Sequence, residues 1–148
     1  ALTFHGRTQK QMSIGPANWD EISKVSKLRD ELKLDIPIIG NGDIKSIKEA
    51  RLKCKRYNLD GAMIGRGIFD NPWLFMENQR ERTQKEKLDM LWMHTELFDR
   101  VWGQSKNFHL LRRYYSIYCK GFDGCAELRA KLMQSESIAD VESILKDF

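Results

Sequence analysis

Residues 36–44 read I-P-I-I-G-N-G-D-I, and residues 60–68 read D-G-A-M-I-G-R-G-I. Each is a short apolar run that ends in a glycine-rich turn carrying a polar or charged residue. Ile36, Ile38 and Ile39 are β-branched and the run is too short for a helix, so the pattern predicts a buried strand. Ala62, Met63 and Ile64 form a second run of the same kind. Between them, 44–57 carries Ile44, Ile47, Ala50, Arg51 and Cys54 at helical spacing, with Asp43 in front as the expected N-cap. Strand, helix and strand in this space make a βαβ unit, hence parallel strands. Both turns then fall at the C-terminal ends of their strands. In an α/β barrel that is the functional face, and the loops after strands 7 and 8 form its usual phosphate cradle. Gly40, Gly42, Gly65 and Gly67 let backbone N–H groups approach an anion, and Arg66 adds a bidentate contact. Either turn alone also reads as an ordinary βα turn whose glycines meet a positive φ. Two of them, one βα unit apart, favour phosphate binding.

Upstream, 1–4 (A-L-T-F) reads as a strand end, followed at once by H-G-R-T-Q-K-Q-M. If this is strand 6 of the same barrel, His5 and Arg7 share the loop face of the two glycine turns. His5 reads equally as a ligand or as a strand-end histidine bonded to nearby backbone. Arg7, Lys10 and Gln11 form a cationic loop, suited to solvent or to an anion such as RNA. A helix is expected over 18–34, with Asn18 and Glu21 as a capping box and Ile22, Val25, Leu28 and Leu32 as its buried stripe.

Downstream, I-F-D-N-P-W-L-F (68–75) predicts a helix with Pro72 in its first turn, where the missing N–H is harmless. Residues 78–87 are highly charged, and from there the pattern turns to helices without strands. The expected boundary lies near residue 83, giving domains 1–83 and 84–148. Leu88, Leu91, Trp92, Thr95, Phe98 and Trp102 mark one amphipathic helix, and 108–120 a second with Leu110, Leu111, Tyr114, Ile117 and Tyr118 on its apolar side. Residues 126–134 and 137–148 complete a four-helix bundle. Arg112, Arg113, Lys120, Arg129 and Lys131 interleave with Tyr114, Tyr115 and Tyr118, a mix that suits phosphate contact with stacking and is also met on a solvated helical face.

The whole chain has 148 residues, a net charge of +4 and 41% hydrophobic residues, enough for a core and compatible with nucleic acid. Three cysteines without a C-x-x-C pair argue against a disulfide framework or a zinc site, and no metal site is expected. No apolar run reaches membrane-spanning length and no signal-peptide pattern is seen, so a cytoplasmic setting without membrane contact is the expectation. The chain opens within a strand-like stretch, as a cut through a larger fold would.

Taken in order, F-H-G-R-T (4–8), I-P-I-I-G-N-G-D-I, M-I-G-R-G-I-F (63–69) and N-P-W-L-F (71–75) resemble the tRNA-dihydrouridine synthases, particularly the bacterial branch. The likeness is strong over 1–76 and weaker in the helical tail, through R-R-Y-Y, K-G and E-L-R. It implies an α/β fold: the C-terminal part of an FMN-binding (β/α)8 TIM barrel, about three strands, followed by an all-α helical-bundle domain that binds tRNA. The activity implied is reduction of the C5=C6 bond of uridines in tRNA, with FMN as cofactor and NADPH as reductant. By the same resemblance, His5 contacts the flavin ring region, Asn41, Gly42 and Asp43 line the ribityl-phosphate side, and Gly65 with Arg66 holds the phosphate. Arg7 and Lys10, with Arg112, Arg113, Lys120 and Arg129 of the tail, face RNA. The family's proton-donating cysteine and a flavin-contacting lysine lie upstream of strand 6, and Cys54, Cys119 and Cys125 match neither, so no catalytic residue is expected within this chain.

Two other functions compete: a different FMN- or phosphate-binding barrel oxidoreductase acting on a small molecule, and a non-catalytic RNA-binding module. The basic tail argues against the first, and His5 beside the two glycine turns against the second. Three strands cannot close a barrel. The chain alone is therefore expected to be inactive, to bind FMN poorly and to self-associate through sheet edges, with Ile38 and Met63 turned to the barrel interior.

Overall fold

A computed structural model describes all residues, Ala1–Phe148. It divides into two compact units, Ala1–Gln79 and Arg80–Phe148. The division lies a few residues before the position near 83 expected from the sequence, because 80–83 lead into the next helix and Thr83 caps it.

The first unit holds three parallel strands in the order β1–β2–β3, with β1 at Leu2–His5, β2 at Ile38–Asn41 and β3 at Gly61–Met63. The register pairs His5 with Asn41, and Asn41 with Met63. Helices α1 (Trp19–Glu31) and α2 (Ile47–Tyr57) form the crossovers, and a short α3 (Gly67–Asp70) follows β3. The core gathers Trp19, Ile22, Ile38, Ile44, Ala50 and Leu59. Ile38 is therefore on the helix side of the sheet and not, as expected, on the face of a barrel interior. Residues alternate along a strand, so the opposite face carries His5, Asn41 and Met63, the last 48% exposed.

Three helix expectations change. Helix α2 begins later than anticipated: Ser46, not Asp43, is its N-cap and accepts from the Glu49 N–H. Asp43 instead adopts a left-handed φ of 57° and leaves the turn in another direction. In α1 the buried side is Trp19, Ile22 and Ser26, whereas Leu28 and Leu32 are exposed. The Trp19 ring supplies the bulk the two leucines were expected to give. It packs where Gly40 has no side chain, since a Cβ there would overlap the ring and the Leu59 methyl. No helix begins at Pro72; 72–77 are turns and bends, and α3 ends at Asp70.

The second unit is entirely helical: α4 (Gln84–Trp102), a 3₁₀ segment (Phe108–Tyr114), α5 (Tyr115–Tyr118), α6 (Cys125–Leu132) and α7 (Ile138–Lys146). Thr83 and Glu86 form a capping box on α4, as do Ser137 and Asp140 on α7. The single helix expected over 108–120 is replaced by the 3₁₀ segment and one short α turn. The threefold repeat of a 3₁₀ helix brings Phe108, Leu111 and Tyr114 to one side, and Leu111 is 1% exposed. Around Leu91, Leu111, Tyr115, Leu128, Leu132 and Val141 this unit builds its own core.

Candidate functional site

The three strands end at one row, His5–Asn41–Met63. Beyond it, the turns after β2 and β3 frame an open cleft of about 560 Å³, to which His5, Asn41, Gly42, Asp43, Gly65 and Arg66 all contribute. Every residue singled out in the sequence as a cofactor contact in the first unit thus reaches the same cavity.

Its walls are held by bonds that leave some groups committed and others open. Asn41 donates from Nδ2 to the Met63 carbonyl at 2.9 Å, tying β2 to the end of β3. His5 accepts the Arg7 N–H on Nδ1 at 3.0 Å, so the neutral ring carries its proton on Nε2. Gly42 takes φ 133°, and a Cβ there would lie 2.5 Å from that of Ala17. A Cβ on Gly67 would sit 2.5 Å from the Ile44 carbonyl oxygen. Glycine at 42 thus lets the turn after β2 lie against Ala17, and glycine at 67 lets the turn after β3 lie against Ile44. At Gly65, by contrast, the space beside the backbone is open.

Asp43 and Arg7 act on each other. Arg7 donates from Nη2 to Asp43 Oδ2 at 2.5 Å, and from Nε and Nη2 to the Gly15 carbonyl at 2.9 and 2.6 Å. The same Asp43 oxygen accepts the Ala17 N–H at 2.7 Å. The Arg7 hydrogen bond, followed by the Ala17 amide and the charges of Arg7 and Arg66, holds the Asp43 carboxyl below its usual range. The Arg7 side chain is 5% exposed. Its guanidinium is turned inward as a clamp on the 8–16 loop, which leaves it little surface to offer RNA.

Arg66 behaves differently. Its side chain is 69% exposed, 3.9 Å from Asp43 Oδ1 and 3.3 Å from the Ser13 hydroxyl. With Asp43 already satisfied by Arg7, Arg66 is an exposed positive charge at the mouth of the cleft. The Ile68 and Phe69 amides that open α3 are taken by the Gly65 and Arg66 carbonyls, at 3.2 and 2.9 Å. Lys45 and Phe69 also line the cavity. Sequence reading passed over both, although Lys45 lies two residues beyond the G-N-G-D turn and Phe69 two beyond Gly67. Lys10 is exposed on the 8–16 loop.

In the second unit the cationic and aromatic residues separate into two groups. Arg112 donates from Nε and Nη2 to the carbonyl of buried Ser135, at 3.3 and 2.9 Å. Tyr115 is 1% exposed, with its hydroxyl 3.3 Å from Ser135 Oγ. Tyr118 is 6% exposed and meets His94 Nδ1 at 2.9 Å. Burial pushes the Tyr118 hydroxyl up to about 12. These three are structural, and neither tyrosine offers a face for stacking. Arg113, Lys120 and Arg129 are exposed; Arg113 lies over the Tyr114 ring at 4.9 Å, and the Lys120 carbonyl accepts from Lys87 Nζ at 3.0 Å. Among the cysteines, burial raises Cys54, and raises Cys119 to about 11.

Comparison with known proteins agrees with the motif order. The chain is similar to a probable tRNA-dihydrouridine synthase of Staphylococcus aureus strain N315, 41% identical over 148 residues, which are 99% of this chain and 45% of that protein. A probable tRNA-dihydrouridine synthase of Staphylococcus epidermidis strain ATCC 12228 is 39% identical over 99% of this chain and 45% of its own length. A probable tRNA-dihydrouridine synthase 2 of Bacillus subtilis strain 168 is 38% identical, with 46% of its length covered. The chain spans a little under half the length of these relatives. The dihydrouridine synthase (Dus) family pattern matches from residue 1 to residue 148. With both glycine turns and the helical tail inside that match, the chain belongs to the dihydrouridine synthase family.

Proposed function

We propose that these residues serve a tRNA-dihydrouridine synthase, a cytoplasmic flavoprotein that reduces the C5=C6 bond of uridines in tRNA with NADPH as reductant. In this reading the three strands are the last part of a (β/α)8 barrel, and Arg80–Phe148 is a helical tRNA-binding domain. The observation that carries it is the cleft itself: two glycine turns from adjacent strands, an exposed Arg66 above them, and an Asp43 already neutralised by Arg7.

The cleft suits the phosphate end of FMN. Open space at Gly65 leaves the backbone approachable, and the arginine has only loose contacts of its own. FMN, when bound, supplies the hydride chemistry, and the protein supplies position and electrostatics. Gly65 and Arg66 hold the phosphate, Asn41 and Gly42 line the ribityl side, and His5 offers its Nε2 proton near the ring. Asp43 contributes by holding Arg7 and the 8–16 loop. Lys10, Arg113, Lys120 and Arg129 neutralise tRNA phosphates, and the uridine must leave its stack to be reached. Of the three cysteines, Cys54 and Cys119 are held as thiols, and none lines the cleft. None of the three is assigned the proton-donor role that the family resemblance implies.

The test uses a protein of the relatives' full length that carries these residues. It should form dihydrouridine in tRNA with FMN and NADPH. Arg66→Ala should remove about 2 kcal/mol, roughly thirtyfold, from FMN affinity. Riboflavin, which lacks the phosphate, should bind both forms alike. An unchanged preference for FMN over riboflavin in a flavin-fluorescence titration of the variant would overturn the phosphate assignment.

A further inference from the structure

We propose that the outer face of α2, together with the turn at Phe75, is a second RNA-docking surface, taking backbone phosphates along a cationic row and stacking an unpaired base on Phe75. It rests on the RNA-substrate reading above and adds a contact outside the cleft.

Lys48, Arg51 and Lys55 succeed one another by three and four residues, so they share one face of α2. The row is about 10 Å long, enough for more than one phosphate. All three are exposed, and none forms an ion pair. Neighbouring charges on the same helix are treated differently. Lys53 pairs with Glu49 and lies 4.5 Å over the Trp19 ring, while Glu49 also accepts the Lys45 N–H. Like charges at these spacings destabilise a helix, and the one acid lining the groove, Glu77, forms no ion pair with them.

Beside the row is an apolar surface that the fold holds in place. Gln79 donates from Nε2 to the carbonyls of Trp73, Leu74 and Met76, and its Oε1 accepts from Asn71 at 3.2 Å. Asn71 Oδ1 in turn accepts the Trp73 N–H at 3.0 Å, and Leu74 is 2% exposed. This bonding fixes the turn and leaves Phe75 66% exposed. Phe75, Leu52 and the cations line one groove of about 810 Å³. An exposed ring on a pinned turn, next to unpaired positive charge, complements a polyanion whose own units have flat faces. Single-stranded or looped RNA meets that description.

The test measures binding of the 148-residue chain to unfractionated tRNA and to a uridine octamer, by fluorescence anisotropy across a salt series. Circular dichroism confirms that each variant is folded. Lys48→Gln/Arg51→Gln/Lys55→Gln should reduce the salt slope by about two to three, at 0.7–0.9 per phosphate contact. Phe75→Ala should weaken binding about tenfold with the slope unchanged, and Phe75→Trp should keep it. If the parent binds RNA and these variants match it in affinity and slope, the surface is wrong and the RNA-substrate reading stands. If the parent binds neither RNA, the surface is wrong, while the RNA-substrate reading is judged by the full-length test above. If polyglutamate binds as tightly and loses affinity in the same variants, the surface serves an acidic protein partner instead and the RNA assignment is overturned.

Discussion

Asp43→Asn isolates the charge of the Arg7–Asp43 clamp. Asparagine keeps the shape, tolerates the left-handed backbone at φ 57°, and can still accept the Ala17 N–H through its side-chain oxygen. What disappears is the negative charge facing a guanidinium that is 5% exposed. Breaking a fully buried pair costs about 3–5 kcal/mol and a surface pair under about 1. With the Asp43 side chain 35% exposed and Gly15 still accepting from Arg7, the loss should be about 1.5 kcal/mol. For a unit of this size that lowers Tm by about 6–12 °C. Asp43→Ala should lose a further ~1 kcal/mol, because alanine resists the left-handed conformation and strands the Ala17 N–H. The Trp19 indole N–H, which donates to the Gly42 carbonyl at 3.1 Å, is a local probe for urea titrations followed by NMR. Acid offers a second readout. The Asp43 carboxyl is depressed in the folded chain, so its contribution is fully present above the unfolded value near 4 and is lost as pH falls through the folded one. In Asp43→Asn that part of the acid limb should vanish. A parent-like midpoint together with a parent-like acid limb would refute the clamp.

Further expectations concern the tail, the sheet and the thiols. Arg112→Ala should destabilise the second unit by about 1–2 kcal/mol in urea denaturation, since it strands the Ser135 carbonyl. Arg113→Gln/Arg129→Gln should instead leave stability unchanged and flatten the salt dependence of tRNA binding by about two. With β1 and β3 at the two edges of the sheet and Leu2 and Met63 each 48% exposed, the 148-residue chain should self-associate, and light scattering across a concentration series should show its mass rising. Iodoacetamide at neutral pH should spare Cys119, which is buried and raised to about 11, and alkylate Cys125 first.

The strands and their turns were legible because β-branched runs and glycines act locally: Ile38 and Ile39 cannot easily belong to anything but a strand, and it ends at Asn41, between Gly40 and Gly42. Residues whose task depends on distant partners were not legible. Trp19 fills the space over Gly40, and no periodicity within 18–34 announces that the filler comes from the start of the helix and not from Leu28 or Leu32. Arg7 and Arg112 carry the charge suited to phosphate, yet each is spent on a backbone carbonyl distant in sequence. Burial, which composition does not encode, decided between the two uses. It also moved Tyr115 and Tyr118 from a stacking surface to the core. The cleft residues were found because glycine turns at the ends of parallel neighbours must share a rim.

The 8–16 loop is pinned at its base: Arg7 holds the Gly15 carbonyl, and Asp43 holds both Arg7 and the Ala17 amide. Between the pins, Met12 is 77% and Ile14 80% exposed, and only Ser13 reaches back to Arg66. Such a loop is separable from the scaffold beneath it. Its tip can be lengthened, shortened or exchanged while the pins keep the strands and the cleft in register. It is thus the segment where lineages could diverge in what they recognise without rebuilding the fold, and where a grafted peptide would be tolerated best.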